Sequence, residues 1–479
     1  MEQALFVSCL DDLRHAHTRR YDRIYFGVEV CHWLMPSPLQ LRSALDFAKL
    51  QGLPLTLVTP VLPEVGLERV RPLLALLPPG SEVVVNDLGL IPDVSEAGHH
   101  PLLGRILLKV KRDPRIGAED LEHPGLAAHL RASNVTNHAF QALLRSLGIQ
   151  RIELDNVQQG YDLDLPDDLR TSLYRPYVSA AVTRRCGLNF SEGNTDLLWR
   201  DGSCREHCQE TQLEVSTLKQ VGSTKVWASY QARGASLFYA NHAEPEDTEG
   251  WNLDREVHLP RPPVFASLPP DEAEPAWDSA YREQGLEVAW NHAEADPLLL
   301  ELAGREPPLE GANARAVELG CGTGRNAAAL QDLGFEVLGI ERSPAALALL
   351  REHHPAVQAV LGDVLEFPLA DDAHALVADY GCLHALAPSR WGRYAERVKA
   401  TLAPGGRLLL FARRLPEGHA PEAPVFVVPG GLPEWGLSEA HARELFGPSL
   451  SLEEVVPYEG AAHASGVEQF NYFLFRRIA

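Results

Sequence analysis

Short runs of β-branched and aliphatic residues recur through the first half of the chain, each separated from the next by a stretch with helical spacing. The runs are 4–10 (ALFVSCL), 23–30 (RIYFGVEV), 54–61 (PLTLVTPV), 82–87 (EVVVND), 105–110 (RILLKV), 151–156 (RIELDN) and 177–183 (YVSAAVT). Between them, 38–52 (PLQLRSALDFAKLQG) and 137–148 (NHAFQALLRSLG) repeat apolar residues three and four apart, as a helix with one buried face does. Continuous apolar strands divided by helices predict a parallel sheet covered on both faces. Seven or more such units in about 240 residues predict a (β/α) barrel; an open doubly wound sheet is the alternative.

The alternation stops between 243 and 276 (AEPEDTEGWNLDREVHLPRPPVFASLPPDEAEPA), a stretch rich in Pro, Glu and Asp. It predicts a connector between a domain at 1–242 and a second at 277–479. Strand and helix patterns then resume, with strands expected at 315–320, 336–341, 356–363, 375–381 and 406–412. Both domains are therefore expected to be α/β, the first barrel-like and the second an open Rossmann-like sheet.

The second domain carries the clearest chemistry. In AVELGCGTGRN a glycine-rich loop directly follows a strand and precedes the helical pattern NAAALQDLG. Glycines at 320, 322 and 324 let the backbone turn tightly and approach a ligand. Glu318 lies inside that strand, and Glu341 ends the next one, where a carboxylate can accept both hydroxyls of a ribose. Asp363 ends the third strand, where it can receive an adenine amino group.

The segments E-L-G-C-G-T-G, I-E-R-S-P, G-D-V and L-A-P-G-G, in that order, resemble the motifs of class I S-adenosylmethionine-dependent methyltransferases over about 277–479. WDSAYREQGLEVAW (277–290) and DYGCLHALAPSRWGRYAERVKATLAPGG (379–406) are similar to the thiopurine and tellurite-resistance branch, except that Tyr380 replaces the arginine of its usual D-R-G. The resemblance implies S-adenosylmethionine as cofactor and a compact, soft nucleophile as acceptor. It assigns to the cofactor site Trp277, Glu318, Gly320, Cys321, Gly322, Thr323, Gly324, Glu341, Arg342, Asp363, Val364 and Asp379. His384 is the candidate catalytic residue, as a general base or, alternatively, as packing beside the cofactor. Cys321 and Cys382 are expected to be small fillers.

Charge and composition narrow the partners. A net charge of −22 over 479 residues argues against sequence-independent nucleic-acid binding. KVKRDPR (109–115) is the one small basic stretch, read as a solvated loop. A small-molecule substrate is the better expectation. No apolar run reaches the length of a membrane-spanning helix, and the first residues lack the basic-then-apolar order of a signal peptide. A reducing, cytoplasmic setting is expected, where clustered cysteines bind metal or do chemistry.

Such a cluster is present. Cys186, Cys204 and Cys208 fall within 184–210 (RRCGLNFSEGNTDLLWRDGSCREHCQE), with His207 beside the last. A Cys₃His zinc site would use His207, although the paired CxxC spacing of zinc sites is missing. An iron–sulfur site tolerates irregular spacing and prefers four thiolates. Cys9 lies inside a predicted strand, whereas Cys31 and Cys186 each follow one, and a barrel gathers such strand ends at one rim.

YFGVEVCHW, VVVNDLG, ASNVTNHAF and the pattern C-x17-C-x3-C resemble the collagenase-like peptidase family thirty-two, over roughly residues 1–240. They are most similar to the iron–sulfur subunit of the oxygen-independent ubiquinone hydroxylase. The resemblance implies a [4Fe–4S] cluster held by Cys31, Cys186, Cys204 and Cys208. No Ser/His/Asp or HExxH arrangement supports proteolysis. Asp87, Asp155 and Asn156, near strand ends, could orient a substrate or cap local structure.

The expectation is a bifunctional enzyme that couples an oxygen-independent, iron–sulfur-dependent hydroxylation or related redox step to methylation of a small molecule. The alternative is a methyltransferase whose barrel binds substrate, senses redox state or docks a protein partner.

Overall fold

The computed structural model describes every residue except 18, 183–212, 222–223, 234–235, 246, 263–273, 307–313, 422–423, 429–431, 464–465 and 479. The chain divides into two compact units, Met1–Ser267 and Leu268–Ala479. Among the described residues, no helix is long and apolar enough to cross a membrane.

The first unit contains a closed barrel of eight parallel strands. They are β1 (Glu2–Val7), β2 (Arg23–Gly27), β3 (Leu55–Val58), β4 (Glu82–Val85), β5 (His100–Leu103), β6 (Arg151–Asp155), β7 (Arg170–Arg175) and β12 (Leu253–His258), in the order β1-β12-β7-β6-β5-β4-β3-β2. Between β7 and β12 lie β8 (Tyr177–Val182), β9 (Leu213–Val221), β10 (Thr224–Arg233) and β11 (Ser236–Ala240). These four form a separate antiparallel sheet. Phe6, Tyr25, Tyr174, Val58, Val84 and Val257 fill the barrel's interior. The helix Pro38–Leu50 starts at a capping box in which Ser37 and Gln40 satisfy each other's free backbone amides.

Three expectations need correction. The run 105–110 is not a strand; Arg105–Leu107 is a 3₁₀ turn, and the barrel strand is β5 just before it. Pro101 disguises β5, because proline cannot donate to a ladder. β5 meets β6 at only one residue pair, Leu103 with Ile152, so the missing donor costs little. Of the run 177–183, Tyr177–Val182 is indeed extended, but it belongs to the antiparallel sheet. Finally, the expected connector 243–276 contains β12, which pairs with both β1 and β7 and closes the barrel.

The second unit is built on a seven-stranded sheet of order β15-β14-β13-β16-β17-β21-β20. Its strands are β13 (Arg315–Leu319), β14 (Glu336–Glu341), β15 (Gln358–Leu361), β16 (His374–Tyr380), β17 (Leu402–Arg413), β20 (Leu450–His463) and β21 (Gly466–Arg477). Only β21 runs against the others. A hairpin of β18 (Phe426–Val428) and β19 (Leu432–Glu434) adds a small second sheet. The five expected strands of this domain are all present. The chain passes from β13 to β14 on one side and later to β16 on the other, so a crevice opens at the carboxyl end of β13.

Candidate active site

The cavity of about 760 Å³ in the second unit lies at that switch point. The loop after β13 doubles back so that the Gly320 and Cys321 amides both donate to the Ile340 carbonyl of β14, at 2.8 and 3.0 Å. Gly320 and Gly322 have φ of 69° and 54°, backbone that favours glycine. A Cβ at 320 would lie 2.9 Å from Cys382 Cβ, and one at 322 would lie 3.0 Å from the Tyr281 hydroxyl. Loop and cavity wall therefore meet without room for a side chain.

Two carboxylates face this loop. Glu341 accepts the Gly322 N–H through one oxygen and the Ser343 N–H through the other, each at 2.8 Å. Burial holds its carboxyl above the usual range. Glu318 is 2% exposed, and its Oε2 has no hydrogen-bond partner. Burial pushes its carboxyl up to about 8, only partly opposed by the Asn326 side chain and the Arg325 charge. Opposite them, Trp290 Nε1 donates to the Tyr281 hydroxyl at 2.8 Å, and Trp277 meets Trp290 edge to face at 4.7 Å.

The other end of the cavity is aromatic. Tyr380, Phe411 and Phe470 form a row of near-parallel rings with centroids 4.5 and 4.6 Å apart. A guanidinium lies over each end of the row, Arg325 at 5.1 Å from Tyr380 and Arg413 at 4.6 Å from Phe470. The Tyr380 and Tyr472 hydroxyls donate to the two oxygens of Asp296, at 3.3 and 2.8 Å. Arg413 Nε donates to Glu434 Oε2 at 2.7 Å, tying the small hairpin to the end of β17.

Residues 316–406 match the family described as a methyltransferase domain. An uncharacterized methyltransferase of Mycobacterium bovis and one of Mycobacterium tuberculosis are each 34% identical over 100 residues, covering 21% of this chain. The chain spans 40% of the length of these curated relatives. Among solved structures, a 1,6-didemethyltoxoflavin-N1-methyltransferase of Burkholderia thailandensis, with bound 1,6-didemethyltoxoflavin and S-adenosylhomocysteine, is similar at 17% identity. It covers 44% of this chain and 92% of its own, with a TM-score of 0.35. A TehB-like methyltransferase of Corynebacterium glutamicum is similar at 19% identity, over 42% and 97% respectively, with a TM-score of 0.30.

Most residues assigned from sequence line the second unit's cavity: Trp277, Glu318, Gly320, Cys321, Gly322, Thr323, Glu341, Arg342, Asp363, Val364 and His384. Gly324 and Asp379 do not. Gly324 caps the helix Arg325–Asp332 and faces Leu350. Asp379 is fully buried, accepts the Cys382 and Leu383 amides at 2.7 and 2.9 Å, and so holds the turn that carries His384. Cys321 and Cys382 are thiols that burial pushes far above their usual range.

His384, read from the sequence as a general base or as packing beside the cofactor, lines the cavity with its ring against the end of β17. Its Nδ1 accepts the Arg413 N–H at 3.1 Å, which places the ring proton on Nε2, 3.6 Å from Glu434 Oε1. The Nδ1 acceptor is thus engaged by backbone and Nε2 faces a carboxylate, so His384 braces the Arg413–Glu434 pair. Arg325, Tyr281, Arg413 and Glu434 were missed from the sequence. Arg325 directly follows the loop motif and Tyr281 lies in the quoted lid segment, whereas Arg413 and Glu434 meet only through the fold.

In the barrel unit, Arg105 has no exposure and fills the carboxyl-end mouth. It makes a bidentate pair with Glu29 at 2.9 and 2.6 Å and a second pair with Asp155 at 2.8 Å. Arg112 of the basic stretch donates to the other oxygen of Asp155 at 2.7 Å, and Arg115 pairs with Asp113. Two of the four cations in KVKRDPR are thus engaged internally. Asp87 accepts the Gly89 amide, and Asn156 donates to the carbonyls of Asn241 and Ala243. Cys31 lies four residues beyond β2, before the 3₁₀ turn His32–Leu34. Cys186, Cys204, Cys208 and His207 lie outside the described residues. Among the described residues no group of three or more His, Cys, Asp or Glu side chains is disposed to hold a metal ion.

Proposed function

We propose that the second unit transfers a methyl group from S-adenosylmethionine to a small molecule. The observation that carries this is Glu318 Oε2, a buried carboxylate oxygen without a partner in a cavity floored by side-chain-free loop backbone. Burying such an atom unpaired is unfavourable unless a ligand completes it. The residues fit the cofactor. Glu318 would hold the ammonium of its amino-acid end, the Gly320–Gly322 backbone its thioether region, Glu341 the ribose hydroxyls and Asp363 the adenine amino group. When bound, the cofactor supplies a methyl on a sulfonium, ready for displacement. The protein aligns an acceptor between the loop and the Tyr380–Phe411–Phe470 row and excludes water there, which is where proximity gains its rate.

Isothermal titration with S-adenosylhomocysteine tests this reading, followed by methyl transfer from labelled S-adenosylmethionine to a panel of phenols, thiols and selenols. One-to-one binding is expected; no binding by the full chain overturns it.

We also propose that the barrel holds a [4Fe–4S] cluster through Cys31, Cys186, Cys204 and Cys208 and serves an oxygen-independent hydroxylation or related redox step. A non-catalytic redox-sensing or partner-docking barrel is the alternative. What supports the cluster is Cys31 standing just past the carboxyl end of β2, at the rim where the other strand ends gather. Anaerobic purification with iron and acid-labile sulfide assays tests it. Both are expected, and both lost in Cys31→Ala; stoichiometric zinc instead overturns the proposal.

A further inference from the structure

Methyl transfer to a hydroxyl leaves a proton to be placed, and an oxygen that still holds its proton is a poor nucleophile. The aromatic end of the cavity offers that proton a route. Tyr380 lines the cavity, and its hydroxyl donates to Asp296 Oδ2 at 3.3 Å. Asp296 is 6% exposed, and its other oxygen is held by the Leu299 amide at 2.9 Å and the Tyr472 hydroxyl at 2.8 Å. One oxygen thus fixes the carboxylate while the other faces the Tyr380 proton. Leu319 pairs with Asp379 across β13 and β16, so Tyr380 stands beside Gly320, where the glycine loop begins. A hydroxyl that donates its proton still has oxygen lone pairs with which to accept one. Burial and the Asp296 charge hold the Tyr380 phenol above its usual range, so near neutral pH it keeps the proton it would pass on. The Arg325 guanidinium, 5.1 Å from the ring centroid, offsets negative charge that builds there as the proton leaves. His384 is placed differently, with its Nδ1 spent on the Arg413 amide.

We infer that Tyr380 is a catalytic residue for a phenolic acceptor: its hydroxyl takes the acceptor's proton and passes its own to Asp296, a positioning residue that acts through it. This rests on the methyl-transfer reading above. The acceptor's O–H bond breaks as its oxygen bonds the methyl carbon, and the methyl–sulfur bond breaks with its electron pair left on sulfur. One proton enters at Tyr380 Oη and one leaves to Asp296 Oδ2, so the tyrosine ends neutral. The positive charge lost from the sulfonium is matched by the negative charge lost from the carboxylate. Such a relay serves phenols, which ionise near about 10, more than thiols, which reach their anion near about 8.5.

Two measurements on the full chain test this. With S-adenosylhomocysteine bound, isothermal titration compares phenol with anisole, which has no proton to give. Tyr380→Phe is expected to weaken phenol about fivefold and not to weaken anisole. Initial rates of methyl transfer are then compared for substituted phenols of falling pKa at one pH. Tyr380→Phe and Asp296→Asn are expected to lower kcat for phenol about a hundredfold, with a loss that shrinks toward 4-nitrophenol, which ionises without help. Asparagine still caps the helix Pro297–Gly304; should Asp296→Asn not fold, Tyr380→Phe decides alone. An equal loss for every phenol, no loss for any, or an equal weakening of anisole overturns the inference, as does transfer to thiols with none to phenols. Failure of the unaltered chain to bind S-adenosylhomocysteine or to methylate any acceptor overturns the methyl-transfer reading and takes this inference with it.

Discussion

Arg413 and Glu434 form a buried ion pair, 5% exposed at each end, that joins β17 to the hairpin over the aromatic end of the cavity. His384 touches both partners, through the Arg413 amide and through Glu434 Oε1. Removing one member of such a pair strands the other charge out of water, at a cost of roughly 3–5 kcal/mol. Glu434→Ala should therefore lower the denaturation midpoint of the second unit markedly. The double variant Arg413→Met, Glu434→Leu should lose less than either single change. Equal losses in single and double variants would contradict a paired role.

The same pair sets an acid limit. Burial alone would raise the Glu434 carboxyl, but His384 and Arg413 outweigh it and bring it down to about 2 from an ordinary 4.5. A carboxyl depressed on folding contributes stability that is present above 4.5 and lost as pH falls toward 2. Stability measured across that window should fall less steeply in Glu434→Gln than in the unaltered chain. Identical slopes would remove Glu434 as the cause.

Glu318 acts with the opposite sign. Its carboxyl rises from 4.5 to about 8 on folding, so ionising it penalises the ligand-free fold increasingly between those pH values. Glu318→Gln should then be more stable than the unaltered chain near pH 8, while binding S-adenosylhomocysteine more weakly. A binding site that stores an unfavourable charge shows this exchange of stability for affinity. Loss of stability on substitution would argue that the carboxylate is satisfied within the fold.

Gly322→Asp should abolish S-adenosylhomocysteine binding. Its new Cβ would press on the Tyr281 hydroxyl at 3.0 Å from a backbone with φ of 54°, and its charge would oppose Glu341, which accepts the residue's own N–H. Retained affinity by calorimetry would displace the cofactor from this loop.

Arg105 should matter to the barrel as Glu434 does to the second unit. Arg105→Met leaves Glu29 without a cation and Asp155 with Arg112 alone, a loss of roughly 3–5 kcal/mol. Amide exchange in β5 and β6 should accelerate. Protection equal to that of the unaltered chain would show that the network is dispensable.

Features written in neighbouring residues are legible in the sequence. The loop after β13, the acids ending β14 and β15, and most strands of both sheets follow from short-range pattern, because glycine torsions and apolar periodicity are local properties. Where local pattern conflicts with burial, it misleads. Pro101 hides a barrel strand, and acidic, proline-rich flanks hide β12 inside an expected connector.

The sequence by itself determined two α/β units, a glycine loop built for a ligand and the carboxylates around it. The tertiary structure alone decided which polar atoms were left open and which were used up. Residues distant along the chain meet there: β12 between β1 and β7, Glu434 on Arg413, the Arg413 amide on His384. A hydrogen bond occupies its acceptor wherever its donor comes from in the chain. The fold spends the Nδ1 acceptor of His384 on the Arg413 amide and leaves Glu318 Oε2 in the cavity without a donor.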